Sequence, residues 1–302
     1  MKQDNNNTSY IWMDGTLVPW AQAQVHVLSY TLHYGLGSFE GIRMYPTSNG
    51  TAIFRLHEHV DRLLESCSVL PRPVPFSKQE IIDAVCATVK KNGITHGYVR
   101  PLVYLGTGAL GIQPTDNPVH LAIAVLPWKK VTASALRVKT SPFIRIHPQS
   151  TYVEKKLIGN YINSILAHMD AVENGYDEAL LLDYEGNIAE GPGANVCIVK
   201  DGNIQTPALG SLLPGITRDT VLAISGDLGI PAEECSITEA AFKNADEAFF
   251  TGTAVEIAPI QSIDNISFGK EAGPITRQLQ EYYDAVVHGK VEKYKDWLTI
   301  IN

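Results

Sequence analysis

Long apolar runs are missing from this chain of 302 residues: the longest, Leu121 to Pro127, falls far short of the roughly 20 residues that a membrane span requires. Basic charge is also scarce. Lys and Arg number 24 against 32 Asp and Glu, giving a net charge of −8, and no basic stripe interleaved with aromatics is present, so nucleic acid is not an expected partner. Cysteine is rare, and Cys67, Cys86, Cys197 and Cys235 stand singly without a C-x-x-C pair or histidines at zinc-finger spacing. That excludes a disulfide framework and a structural zinc site as expectations, and no metal is assigned. Met1 to Ser9 is polar and Asn-rich with no apolar segment behind it, so neither a secretory nor a lipidation signal is read, and a cytoplasmic protein with four reduced thiols is expected. Neither a G-x-S-x-G elbow nor a Walker-type loop occurs, which removes the usual nucleophile and phosphate cradle of hydrolases and NTPases.

What is there is globular: 45% apolar and only 19% charged residues, with helix and strand signals alternating throughout. Asp14-Gly15 between two apolar pieces predicts a hairpin over Tyr10 to Trp20. A second hairpin is expected from Ser38 to Tyr45 with Thr51 to Arg55, around Ser48-Asn49-Gly50. Val60, Leu63, Leu64 and Cys67 keep a helical period, and Ser77 with Glu80 spells a capping box before the helix that Asn92-Gly93 stops. Strands are predicted over Tyr98 to Leu105 and Val119 to Leu126. The pattern then weakens, placing a smaller N-terminal α/β domain at 1–128, a connection at 129–135 and a larger C-terminal α/β domain at 136–302. In the latter, helices are predicted from about Asn160 to Asn174, from about Thr217 to Leu228, and from Pro274 to near Gly289. Its strands fall at Leu136 to Thr140, Glu178 to Asp183, Ala194 to Val199, Glu247 to Phe250 and Glu256 to Ser262.

Gly106, Gly108 and Gly111 form G-x-G-x-x-G after a strand, but Pro114 and Pro118 deny the helix that a dinucleotide site needs. A flexible functional loop is the better expectation. His57, Glu58 and His59 lack metal-ligand spacing and read as a solvated helix entry. Leu213-Pro214-Gly215-Ile216-Thr217 leads a turn straight into a helix, so the N–H groups of Ile216 and Thr217 and the Thr217 hydroxyl can converge on an anion, or simply belong to a capped helix. Gly252-Thr253-Ala254 adds a second hydroxyl, and Arg62 a permanent charge. Glu190 ends a strand before Gly191-Pro192-Gly193, which permits close approach by a flat group. Lys155 and Lys156 precede Gly159-Asn160-Tyr161, and in an extended segment only one of them can point inward.

Together these motifs resemble the fold-type IV pyridoxal-phosphate enzymes, most closely the branched-chain amino acid aminotransferases. The resemblance runs from Tyr10-Ile11-Trp12 and Val25-His26-Val27 through His33-Tyr34-Gly35, Phe39-Glu40-Gly41-Ile42-Arg43, Arg55 to Leu63 and Tyr98-Val99-Arg100-Pro101. It continues in Lys156, Gly159-Asn160-Tyr161, Glu190-Gly191, Leu213 to Arg218 and Gly252-Thr253-Ala254.

The resemblance implies a two-domain α/β (mixed α+β) fold of the D-amino acid aminotransferase type, with the Schiff-base lysine in the larger domain. It selects Lys156 as that lysine and leaves Lys155 facing away. It implies pyridoxal 5'-phosphate held by Arg62, Ile216, Thr217 and Thr253, with Glu190 at the ring nitrogen and Tyr161 at the phenolic oxygen. For substrates it implies Tyr98 with Thr253 and Ala254 at the α-carboxylate, Tyr34, Phe39 and Trp128 lining an apolar pocket, and Arg100 admitting glutamate. The expected reaction is ping-pong amino transfer between leucine, isoleucine or valine and 2-oxoglutarate, in a homodimer or larger assembly whose Gly106 to Ile112 loop reaches a neighbour's pocket. A broader transaminase taking D-amino acids or (R)-amines, and a lyase resembling aminodeoxychorismate lyase, stand as alternatives of the same fold.

Overall fold

The computed structural model describes residues 8–128 and 135–301. Most of the connection expected at 129–135 lies outside these residues. The chain divides into two compact units. One comprises Met1–Lys130, Lys155–Gly159 and Val286–Asn302, the other Val131–Glu154 and Asn160–Ala285. The chain thus returns twice to the first unit, taking Lys156 with it, whereas the linear pattern assigned both returning segments to the C-terminal domain.

In chain order the first unit holds β1 (Tyr10–Met13), β2 (Thr16–Pro19), α1 (Tyr30–Tyr34), β3 (Gly37–Phe39), β4 (Ile42–Thr47) and β5 (Gly50–Phe54), followed by α2 (Leu56–Ser66), α3 (Lys78–Asn92), β6 (Gly97–Leu105) and β7 (Val119–Pro127). Asp14 and Gly15 both take positive φ at the β1–β2 turn, which is why an Asp-Gly pair stands there. The second hairpin forms with Thr47 opposite Gly50, but Ser38 and Phe39 belong instead to β3, which pairs with β6. Pairing breaks at Glu40-Gly41, between β3 and β4. The capping box of α3 is present in full: Ser77 accepts from the Glu80 amide and Glu80 from the Ser77 amide. Gly93 ends the helix in the left-handed conformation. The sheet is antiparallel, in the order β5, β4, β6, β7, β1, β2. Val60, Leu63, Ile81 and Val85 of α2 and α3 share one buried core with Met44, Val99 and Ile123 of the strands.

The second unit contributes β8 (Leu136–Thr140), α4 (Tyr161–Glu173), β9 (Glu178–Leu182), β10 (Ile188–Glu190), β11 (Asn195–Lys200), β12 (Asn203–Pro207) and α5 (Ile216–Asp227). It continues with β13 (Ala232–Cys235), α6 (Glu239–Lys243), β14 (Glu247–Gly252), β15 (Glu256–Ile263), β16 (Ile266–Ser267) and most of α7 (Pro274–Val287). A last strand, β17 (Leu298–Ile301), goes back to the first unit and pairs with β5. The order β10, β9, β8, β15, β14, β11, β12, β13 mixes parallel and antiparallel pairs. Val138, Val196, Ile198, Phe242 and Phe250 fill its core. The short β13, α6 and β17 were not foreseen, because elements of four or five residues carry too few periods to stand out. No helix among the described residues is long and apolar enough to cross a membrane.

Removing the α3 cap by Ser77→Ala should cost about 1 kcal/mol, read as an earlier midpoint in urea unfolding. An unchanged midpoint would show that the box contributes nothing.

Candidate active site

The first unit gathers its candidate site residues around the strand break. Glu40 follows β3, and its amide still donates to Pro101 O at 2.9 Å, so the backbone is held while the carboxylate turns into the interior, where it is fully buried. Arg62 on α2 grips it as a fork, Nε to Oε1 at 2.7 Å and Nη2 to Oε2 at 3.0 Å. His59, one helical turn earlier, places Nδ1 2.7 Å from Oε2. Burial alone would raise the Glu40 pKa, but the charge of Arg62 and the hydrogen bonds from Arg62 and His59 hold it well below the usual carboxylate range. Burial pushes the His59 imidazole down, against the pull of Glu40, so a neutral ring donates to the carboxylate. His59 is therefore a core residue and not the solvated helix entry expected, since the helix places it beneath Arg62 on the face that meets Glu40. Glu58 pairs with Arg55 instead, so the His-Glu-His run points apart.

Lys156 sits on the segment Lys155–Gly159, which lies against β3. Its carbonyl accepts from Ser38 Oγ at 2.9 Å and from the Phe39 amide at 3.4 Å, while its own amide donates to Ser66 Oγ at 2.9 Å. Its Nζ stands 5.2 Å from the Phe39 ring. Lys155 turns the other way and donates to Glu65 O.

A second cation near Phe39 is Arg100, its guanidinium 4.8 Å from the same ring and 5.3 Å from the ring of Tyr98. Tyr98 stacks on Trp128 at 4.9 Å. Gly41 makes room for the Tyr98 hydroxyl, which lies 1.6 Å from where a Cβ would stand. The structure thus brings Arg62, Lys156, Phe39, Tyr98, Arg100 and Trp128 into one neighbourhood of the first unit.

Tyr34 holds a loop. Its hydroxyl donates to Leu110 O and that of Tyr30 to Ile112 O, both at 2.6 Å. Asn117 holds Gly106 O and Ala109 O. The Gly106 to Ile112 loop is accordingly pinned, contrary to the flexibility expected. Its first glycines serve close packing, because a Cβ at Gly106 would meet His120 at 2.5 Å and one at Gly108 would meet Asn117 at 2.9 Å. Ile112 is left 88% exposed at the tip.

In the second unit Glu190 ends β10 and is buried. Arg145 donates from Nε to Oε1 at 2.5 Å, and Oε2 accepts from Asn195 Nδ2 at 3.1 Å and from the Leu213 amide at 3.2 Å. The turn Leu213-Pro214-Gly215 runs into α5, whose N-cap, Gly215, offers no side-chain cap. The first amides of that helix, Ile216 and Thr217, thus have no side-chain cap, and the Thr217 side chain is buried beside them, donors of the kind an anion takes. Thr253-Ala254 follows Gly252, which ends β14 beside the loop after Glu190: a Cβ at Gly252 would lie 3.3 Å from Gly193 O. Tyr161 opens α4, half-buried.

The donor set suits a phosphorylated pyridine aldehyde. Within the second unit, uncapped helix amides and threonine hydroxyls answer a phosphate and a carboxylate answers a protonated ring nitrogen; within the first, a lysine amine answers an aldehyde. Arg145 Nη1 and Thr251 Oγ1 are buried without hydrogen-bond partners near Glu190 and Asn195 respectively, which leaves polar capacity for a bound group.

Glu40, His59, Arg145 and Asn195 were missed as functional. Glu40 stands in the Phe39-Glu40-Gly41 motif and Asn195 in the strand expected over Ala194 to Val199, but both lie at strand boundaries where no periodicity speaks, and Arg145 lies in an irregular stretch with no signal of its own. Cys67 and Cys197 are unpaired and buried, their thiols pushed up to about 12 by burial, so they stay protonated.

The model of the family described as amino-transferase class IV matches residues 37–263. The branched-chain-amino-acid aminotransferase of Pseudomonas aeruginosa is 43% identical over 96% of this chain and 97% of its own. Among solved structures, a T.th. branched-chain amino acid aminotransferase complexed with N-(5'-phosphopyridoxyl)-L-glutamate superposes with a TM-score of 0.94 at 43% identity, covering 98% of this chain and 99% of that one. The branched-chain aminotransferase of Thermoproteus uzoniensis with norvaline gives 0.93 at 42%, covering 97% and 99%.

Glu40→Gln should destabilise the protein at pH 7 by about 3 kcal/mol, because Arg62 keeps its burial and loses its counter-charge. Since the folded pKa of Glu40 is depressed, its contribution is complete above the unfolded value of about 4.3 and is lost as pH falls toward the folded one. The gap between the two proteins should therefore narrow below that pH in thermal melts. A constant gap from pH 7 to 3 would contradict the pairing.

Proposed function

Since the chain belongs to the amino-transferase class IV family, we propose that it moves the amino group between leucine, isoleucine or valine and 2-oxoglutarate, with pyridoxal 5'-phosphate as cofactor. The observation that carries this reading is the Phe39 ring, whose centre lies 5.2 Å from the Lys156 amine and 4.8 Å from the Arg100 guanidinium. One aromatic surface thereby serves both an apolar side chain and a second carboxylate. Bound pyridoxal 5'-phosphate supplies an aldehyde that takes up the amino group and a ring that accepts the electron pair left when the substrate α-proton departs.

The protein does the rest. Arg62, aligned by Glu40, binds the phosphate together with the Ile216 and Thr217 amides and the Thr217 and Thr253 hydroxyls. Glu190, itself paired with Arg145 and Asn195, keeps a proton on the ring nitrogen. Tyr161 donates to the phenolic oxygen. The Lys156 Nζ would hold the aldehyde of the cofactor and would serve as the base that moves the proton at the substrate α-carbon. Tyr98 with Thr253 and Ala254 receives the α-carboxylate, Tyr34, Phe39 and Trp128 face the branched side chain, and Arg100 takes the distal carboxylate of glutamate. The same reading makes the enzyme a homodimer or larger, and the exposed stripe of Ile162, Ile165, Leu166, Met169 and Val172 on α4 supports a covered face. Four free thiols fit a cytoplasmic setting.

Lys156→Ala should abolish leucine–2-oxoglutarate exchange in a coupled assay, and full retained activity would sink the mechanism. Arg100→Leu should cost glutamate turnover about 100-fold, near 3 kcal/mol for an unanswered carboxylate, and leave the leucine half-reaction within a few-fold. Equal losses for both substrates would remove Arg100 from its assigned place.

A further inference from the structure

The side-chain amide of Asn195 stands where two anchors of the second unit meet. It is 4% exposed and uses both of its N–H donors: one reaches Glu190 Oε2 at 3.1 Å, the other Leu213 O at 2.9 Å. The Leu213 amide donates back to the same Glu190 oxygen at 3.2 Å, which closes a ring of carboxylate, amide and peptide. The far side of the amide presses on Gly215, where a Cβ would stand 1.8 Å from Oδ1. Gly215 is the N-cap of α5, with extended backbone and no side-chain cap. Any Cβ there would evict the amide, so the glycine is required by the asparagine and not by its own φ.

The geometry points to Asn195 as a positioning residue that couples the carboxylate at one end of the cofactor site to the phosphate-binding turn at the other. This rests on the proposed pyridoxal-phosphate reading. Glu190 and the α5 turn are distant in sequence, and a donor pair with no freedom to rotate fixes the orientation of one against the register of the other. Occupying the helix amides with an anion draws the turn toward it, and through Leu213 and Asn195 settles the carboxylate for the ring nitrogen. The two ends of the cofactor then bind cooperatively, with the linkage running both ways.

The two ends can be supplied separately, as phosphate-free pyridoxal and inorganic phosphate. In the apoenzyme, saturating inorganic phosphate should tighten pyridoxal at least 5-fold, followed by absorption titration. In Asn195→Ala the coupling should fall to within 1.5-fold of unity, while each probe alone shifts less than about 3-fold. Gly215→Ala, which displaces the amide without deleting it, should do the same and keeps the test available where Asn195→Ala fails to fold. Apoenzyme melting temperatures within a few degrees of the unaltered protein separate lost coupling from general loosening. Coupling unchanged in both variants, or absent in the unaltered protein that still binds pyridoxal 5'-phosphate tightly, overturns the role of Asn195 alone. Failure of the unaltered protein to bind pyridoxal 5'-phosphate overturns the cofactor reading and this inference with it.

Discussion

A carboxylate with no access to water stays charged only if its neighbours answer both oxygens, and Glu40 is answered by Arg62 and His59. Much of the first unit is arranged so that this can happen. Strand pairing stops after Phe39 to let the side chain turn inward, α2 supplies its two partners one turn apart, and Gly41 admits the Tyr98 hydroxyl beside them. The same break fixes Phe39, on whose ring Lys156 and Arg100 converge. Charge pairing and aromatic geometry are therefore one construction, and disturbing the acid moves the site.

The second unit repeats the logic with other parts. Glu190 meets an arginine on one oxygen and two neutral donors on the other, at the end of a strand and before glycines that leave room for a flat ligand. In both units an acid sits at a strand end and is held from a neighbouring segment, because a strand end frees a side chain from sheet alternation while the adjacent ladder keeps its backbone in place.

Much of the fold was legible in the residues. Asp14-Gly15, the Ser77 and Glu80 box, Gly93 and Pro274 all act where their chemistry places them, since turns and caps are local. The return of Lys155–Gly159 to the first unit was not legible, because it depends on a bridge between Ser38 and Leu157 that no local pattern encodes. For the site, the candidate phosphate-binding turn could be argued from Pro214-Gly215 alone, whereas the choice of Lys156 over Lys155 needed the family resemblance. The pinned Gly106 to Ile112 loop shows the converse: glycines read as freedom were there to admit His120 and Asn117.

The proposed enzyme must accept both an apolar and an acidic amino acid at one site. That requirement is met head-on by rapid mixing of the holoenzyme with L-leucine, L-glutamate and (R)-1-phenylethylamine in turn, following the long-wavelength cofactor absorption through a single turnover. Both L-amino acids should bleach it fast and the amine should leave it unchanged. Bleaching by leucine or the amine with glutamate inert would refute dual recognition, and would turn the protein into a transaminase of broader reach.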